Sequence, residues 1–224
     1  MKESIRKVLT TLGADACGFA AIEDFSDAPA GYSPADLFPA CRTVVAFGVA
    51  VPKGTLQVDP RYIYGHFNDA CVEAVDRIAF EAAKTLERTF GMTAVPVPCD
   101  GPYDFWDAES LEGRGLMSMK HAAVLAGLGT LGKSTMLIHR QFGNRMTIGA
   151  ILTDMALASD PPAGNLCPPA CRRCLDACPT GAITADGVSQ KLCRPHAYGR
   201  NSRGFSTVNC NACRSACPLR FGEA

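Results

Sequence analysis

Apolar positions fall into runs whose spacing changes along the chain. Near the start, Ile5, Val8, Leu9 and Leu12 share one face at helical spacing, which predicts a short amphipathic helix. "DACGFAAI" (15–22) and "TVVAFGVAV" (43–51) are continuous apolar runs and predict buried strands. From Tyr64 to Met92 the pattern turns helical again, with Cys71, Ala74, Ile78, Ala82 and Leu86 on one side. "TAVPVPC" (93–99) predicts another strand. Ser118 caps a further helix in which Ala122, Leu125 and Ala126 face one way. Two apolar runs, "TMLI" and "MTIGAIL", flank the Gly143-Asn144 turn signal and predict a β-hairpin over 135–153. The expected fold class is a mixed α/β (α+β) layer architecture. The stretch 99–119, "CDGPYDFWDAESLEGRGLMSM", shows no such period and predicts a long acidic loop. It carries the only Trp, Trp106, with Tyr103 and Phe105. A loop of this length either lines a pocket or tucks its aromatics onto the core.

The 224 residues and an apolar share of 47% fit one medium domain plus a small one. A formal net charge of zero gives no whole-chain case for nucleic acid or an anionic membrane. No run approaches the roughly 18 apolar residues of a membrane span. The start lacks a signal-peptide pattern, so a cytoplasmic location is expected.

Cysteine placement changes the picture most. Of twelve cysteines, Cys17, Cys41, Cys71 and Cys99 are scattered, and the other eight lie between Cys167 and Cys217. This divides the chain into 1–157 and 166–224, joined by the Pro- and Gly-rich "ASDPPAGN". The second region contains a repeat. Cys171-x2-Cys174-x3-Cys178-Pro179 is matched by Cys210-x2-Cys213-x3-Cys217-Pro218, with Cys167 and Cys193 completing two sets of four. In two-cluster bacterial ferredoxins the cysteine before proline ligates the other cluster. The predicted sets are therefore Cys167, Cys171, Cys174 and Cys217 on one [4Fe-4S] cluster, and Cys178, Cys193, Cys210 and Cys213 on the other. Cys167-x3-Cys171 is one residue longer than usual, which Pro168-Pro169 would absorb as a bulge. Tetrahedral zinc also takes four thiolates, but its modules pair two C-x2-C units without a repeated C-x3-C-P. Disulfides fit a reducing compartment poorly. Beyond Asn165, Arg172, Arg173, Lys191, Arg194, Arg200, Arg203, Arg214 and Arg220 face only Asp176, Asp186 and Glu223. Such an excess either offsets cluster charge or steers an acidic electron donor.

"AGLGTLGKST" (126–135) contains the P-loop spacing Gly127-x4-Gly132-Lys133-Ser134. A P-loop needs a strand before it and a helix after it. Only seven residues separate Thr135 from the Gly143-Asn144 turn, so the nucleotide reading is set aside. The glycines instead predict close approach of the backbone to a neighbour or a ligand. His121, where the acidic loop meets this segment, is either a proton donor or a hydrogen-bonded structural residue.

The joined motifs "AGLGTLGKSTMLI" (126–138), "FGN" (142–144), "AILTD" (150–154) and "CRRCLDACPTGAI" (171–183) resemble the epoxyqueuosine reductases, which are related to corrinoid-dependent reductive dehalogenases. The resemblance spans roughly residues 115 to 218. It implies a nitroreductase/cobalamin-binding-like N-terminal sheet, followed by a ferredoxin-like unit with two [4Fe-4S] clusters. It further implies an iron–sulfur oxidoreductase holding cobalamin, with flavin as the second candidate, and Gly127, Leu128, Gly129, Gly132 and Lys133 against the corrinoid. An electron donor such as a ferredoxin or flavodoxin, and a small-molecule or corrinoid-protein client, are the expected partners. The alternative is a ferredoxin-like carrier, or a corrinoid-reactivating partner of another enzyme. The family's "D-x-x-P-V-L-E-R" stretch is not matched: Gly113, Leu116 and Met119 stand at its Asp, Pro and Glu positions. The sequence as given ends four residues after Arg220, without the helical-repeat tail of longer relatives, so reduction of transfer RNA is not expected. The catalytic candidates left are Asp100, Glu112 and His121.

Overall fold

A computed structural model describes residues 1–223. Its elements in chain order begin with α1 (Lys2–Thr11), β1 (Ala16–Ala21), α2 (Pro34–Leu37), β2 (Thr43–Ala50) and α3 (Gly65–Phe90). There follow β3 (Ala94–Val97), β4 (Phe105–Asp107), β5 (Glu112–Arg114), α4 (Met119–Leu125), β6 (Thr130–Leu131), β7 (Leu137–Ile138) and β8 (Met146–Thr153). The cysteine region adds α5 (Arg173–Asp176), β9 (Ile183–Thr184), β10 (Gly187–Val188), α6 (Gln190–Ala197), β11 (Tyr198–Arg200), β12 (Ser206–Val208) and α7 (Ala212–Ser215).

The main sheet has the order β1-β2-β8-β3, and every neighbouring pair is antiparallel. Both of its faces are covered, which explains why β1 and β2 read as continuous apolar runs. The two-residue period of a strand splits the side chains between two cores. Val44 and Ala46 of β2 join Ile148, Ala150 and Leu152 of β8 under α4. Val45, Phe47 and Ile151 point the other way, under Ile5 and Leu9 of α1 and Val75, Ile78, Ala82 and Leu86 of α3. The result is three layers, helix on sheet on helix.

Two expectations are corrected here. The span 135–153 is not a hairpin. β7 pairs with β6, while β8 lies between β2 and β3. The Gly143-Asn144 turn is real, since Gly143 and His139 exchange backbone hydrogen bonds, but the chain leaving it crosses to the sheet centre. Eight register pairs with β2 outweigh what a two-residue strand offers. The acidic stretch 99–119 is not wholly irregular, because β4 and β5 form a short hairpin. Turn chemistry at Asp107 closes it: the carboxylate accepts from the Glu109 and Ser110 N–H groups at 2.8 and 3.0 Å.

The segment 158–165 is tied down at its centre. Asp160 N–H donates to the Phe19 carbonyl at 2.8 Å. Its carboxylate takes Arg6 Nη2 at 2.6 Å and Lys2 Nζ at 2.5 Å. Among the described residues, no helix is long and apolar enough to cross a membrane.

Candidate functional site

The two halves of the cysteine repeat take the same local form. Each places its middle cysteine, Cys174 or Cys213, in a four-residue helix, α5 or α7. Each then bends back, with Cys178 N–H on Leu175 O and Cys217 N–H on Arg214 O. Cys167, Cys171, Cys174 and Cys217 line one small void together with Gly132, Lys133 and Ser134. Burial pushes the Cys217 thiol up, and then its neighbours Cys167, Cys174 and Cys171 push it further. The second set meets around α6. Burial raises the Cys193 thiol, followed by the charges of Cys178 and Cys210. Cys213 is raised by burial and, among like charges, by Cys193 and Cys210, against Arg214. Cys178 goes the other way. Burial opposes it, yet the Thr180 hydroxyl and the N–H groups of Thr180, Ile183 and Ala182 hold its thiol below the ordinary value. Cys217, from the second half, thus lies with three cysteines of the first region, and Cys178, from the first half, lies near Cys193.

The Gly-rich segment belongs to the first of these sets. Lys133 Nζ donates to the carbonyls of Pro168, Pro169 and Cys171 at 3.2, 2.5 and 2.7 Å. It clamps the long Cys167–Cys171 loop. The glycines meet protein: a Cβ on Gly127 would lie 2.4 Å from the Pro161 carbonyl oxygen, and one on Gly129 would lie 2.3 Å from that of Ile138. On Gly132 it would stand 2.9 Å from Ile138 Cδ1. Leu128 is buried in the core under α4. This segment packs on the chain itself and on the first cysteine loop.

A cleft of about 820 Å³ opens between the sheet domain and the second cysteine set. Cys193, Cys210 and Cys213 line it, facing Tyr64, Asn68 and Cys99. Its size is that of a pocket for a drug-sized ligand or part of a larger cofactor. The catalytic candidates part company here. Asp100 lines the cleft. Glu112 is not among the lining residues and pairs with Arg114 at 2.8 Å. His121 is exposed, and its Nδ1 lies 2.6 Å from Ser118 Oγ. That bond uses the hydroxyl expected to cap α4, so the helix starts without a side-chain cap.

The sequence reasoning missed Lys120, Asn144 and Arg214, which all line the cleft. Lys120 is open to solvent through the mouth yet surrounded by protein. Burial and then the Arg214 charge lower its pKa, while Asp100 and Cys213 oppose the shift. The β4–β5 hairpin stands at the rim. Tyr103 stacks on Trp106 with centroids 5.9 Å apart, and the Arg194 guanidinium lies 5.4 and 5.1 Å from the two rings. Of the two readings of the aromatic loop, the pocket-lining one holds for Tyr103, while Phe105 and Trp106 are exposed and Trp106 lies against Arg194 of α6, so the aromatics are not tucked onto the core.

No protein-family model matches the chain. An epoxyqueuosine reductase from Listeria monocytogenes is 29% identical over 51% of this chain, a stretch covering 33% of the relative. The chain thus matches about a third of that relative's length. One from Lactococcus garvieae is 24% identical over 99% of this chain and 70% of its own length. Among solved structures, an epoxyqueuosine reductase from Streptococcus thermophilus has a TM-score of 0.70 at 20% identity, covering 100% of this chain and 67% of the other. A reductive dehalogenase described as B12-dependent has a TM-score of 0.69 at 17% identity, over 97% of this chain and 32% of that one.

Proposed function

Because this chain is related in sequence to the epoxyqueuosine reductases and shares the fold of those enzymes and of reductive dehalogenases, we propose that it is an iron–sulfur oxidoreductase. Two [4Fe-4S] clusters pass electrons toward the large cleft. Cys167, Cys171, Cys174 and Cys217 hold one; Cys178, Cys193, Cys210 and Cys213 hold the other. The observation that carries this reading is the exchange of Cys217 and Cys178 between the halves, the arrangement of two-cluster ferredoxins. The donor chemistry fits. Among the described residues, no three His, Cys, Asp or Glu side chains are placed to hold a single ion. Thiols spread around a void suit a cube with iron at four corners better than one tetrahedral zinc. Three cysteines of the second set, Cys193, Cys210 and Cys213, line the cleft, and none of the first does. Electrons from an external ferredoxin or flavodoxin thus enter at the first and leave from the second.

The cleft is the place for the redox cofactor, a corrinoid by the likeness to B12-dependent enzymes, with flavin as the alternative. Bound there, it would supply the redox-active centre at which substrate is reduced. This chain's own residues do the rest. Arg194 holds the aromatic hairpin at the rim, and Tyr64, Lys120 and Arg214 line the walls with polar groups. Asp100 and Asp69 put carboxyl groups on the same walls, and Asp100 is the remaining catalytic candidate. Reduction of an epoxide on transfer RNA is not part of the proposal. Gly113 stands where the family has its acid, and neighbouring Glu112 is paired to Arg114. A carrier without chemistry of its own needs no cleft of this size. Anaerobic titration with cobalamin tests the cofactor assignment: saturable binding with a changed corrinoid spectrum is expected, and an unchanged spectrum removes it.

A further inference from the structure

The two halves of the cysteine repeat agree in form and differ in the residues that follow the cysteines. Leu175 follows Cys174 in α5, whereas Arg214 follows Cys213 in α7. After the two Cys-Pro pairs stand Thr180 in the first half and Leu219 in the second. Cys217 lies with the first set and Cys178 near Cys193. Both polar choices therefore fall on the second set, and both leucines on the first. The Thr180 hydroxyl oxygen is 3.7 Å from Cys178 Sγ, while Leu219 lines the first void beside Cys217.

The Arg214 guanidinium is held in place with its charge uncompensated. It donates to the Asn144 carbonyl, lies 3.4 Å from Met136 Sδ and stands 5.7 Å from the Tyr64 ring centroid. Arg194, which follows Cys193, donates to Gln190 Oε1 at 2.8 Å and to the Tyr103 hydroxyl at 3.2 Å. These partners are all neutral. Among the described residues neither guanidinium is in an ion pair, although Asp69 and Asp100 line the same cleft. The cations of the first set are of another kind. Lys133 turns its ammonium to three carbonyls. The Arg172 side chain is 69% exposed and 3.6 Å from the Asp176 carboxylate, so water and a counter-charge screen it. Burial raises the thiols of Cys174, Cys193, Cys213 and Cys217 alike. Arg214 works against it at Cys213 and Arg194 at Cys193, while no cation is among the charges acting most on Cys174 and Cys217.

A cluster gains negative charge when it takes up an electron, so a fixed, poorly screened cation and hydrogen bonds to its sulfurs raise its potential. Resting on the oxidoreductase reading, we infer that Arg214, beside Cys213 where the first half has Leu175, sets the second cluster at the higher potential of the two. Arg194 and Thr180 act in the same direction. Electrons from a carrier of the ferredoxin or flavodoxin class then run downhill from the first site to the one on the cleft. Each transfer moves one electron and makes or breaks no bond. In this role Arg214 acts through the cluster and is a positioning residue.

Anaerobically purified, iron-containing protein is titrated with dithionite in the presence of mediators, and each midpoint potential is read by electron paramagnetic resonance. Two separate midpoints are expected, and Cys217→Ser, which damages the first site, should leave the higher one. Arg214→Leu gives α7 the residue that α5 has. It should lower the higher midpoint by at least about 59 mV, a tenfold change for one electron, and leave the lower one in place. Arg214→Gln, which can still donate to the Asn144 carbonyl, should do the same and serves where the leucine variant loses iron. Arg214→Lys keeps the charge and should hold most of the potential, and Arg172→Gln should move neither midpoint. Circular dichroism and iron content are measured on every sample. Equal midpoints in the parent, a higher midpoint that disappears in Cys217→Ser, or an unmoved one in Arg214→Leu and Arg214→Gln overturns the inference. So does an equal fall in Arg214→Lys. With two clusters present, any of these results removes this inference alone; a parent without iron removes the oxidoreductase reading.

Discussion

Lys133→Ala should loosen one iron–sulfur site and leave the other in place. Lys133 spans from the Gly-rich segment to three carbonyls of the Cys167–Cys171 loop. The bonds to Pro168 and Pro169 are exposed, and water replaces them at little cost. The bond to Cys171 O is partly buried, and a hydrogen bond to a charged donor contributes about 1.5–3 kcal/mol. Taking about 2 kcal/mol for the clamp, and 1.4 kcal/mol per factor of ten, the loop opens roughly 30-fold more often. Opening exposes Cys167 and Cys171, so iron bound there escapes faster. The assay is anaerobic iron release to a chelator, followed as two phases for the two clusters. The variant should speed one phase by roughly 30-fold and leave the other unchanged. Two phases within about twofold of the parent would show that the lysine does not hold the loop, and a speeding of both would show that the sites do not act separately.

Asp160→Asn should weaken the tie between α1 and segment 158–165. Burial opposes the Asp160 charge, but hydrogen bonds from Lys2 and Arg6, and their charges, hold its carboxyl below the usual value. A carboxylate held low stabilises the fold above its unfolded pKa, about 3.9, and that stability is lost as pH falls through the lower folded value. The variant should lose about 2 kcal/mol at neutral pH, lowering Tm by about 4–8 °C. The difference from the parent should shrink in acid below that window; a constant difference across pH would refute the charge argument. Gly129→Ala drives a Cβ to 2.3 Å from the Ile138 carbonyl oxygen. It should cost at least about 1–3 kcal/mol, read as a lower urea midpoint with an unchanged slope.

The local pattern disclosed what is locally determined. The apolar runs of β1 and β2, the long α3 and the face of α1 holding Ile5 and Leu9 were legible because each is settled by its own period. The cysteine repeat was legible because its spacing recurs, and both halves take the same local form. The misread hairpin had all the local signs, but β8 is placed by pairing with Thr43–Ala50, about a hundred residues earlier. Such pairing leaves no mark in neighbouring residues. The cleft was hidden for the same reason: Tyr64, Lys120, Asn144 and Arg214 come from distant segments and form no motif. Lys133 misled in a different way. Its Gly-Lys-Ser setting suggests an anion, yet its partners are backbone carbonyls 35 to 38 residues later.

The central claim is that eight thiolates hold two clusters with Cys217 and Cys178 exchanged between halves. Anaerobic iron and acid-labile sulfide analysis of the parent and of Cys217→Ser tests it most directly. The account predicts about eight irons and eight sulfides per chain in the parent, from two four-iron cubes. In the variant, damage should fall on the site of Cys167, Cys171 and Cys174, leaving about four irons whose paramagnetic signal matches one parent cluster. Zinc in place of iron, or a variant whose surviving cluster is the one bound by Cys171 and Cys174, would contradict it.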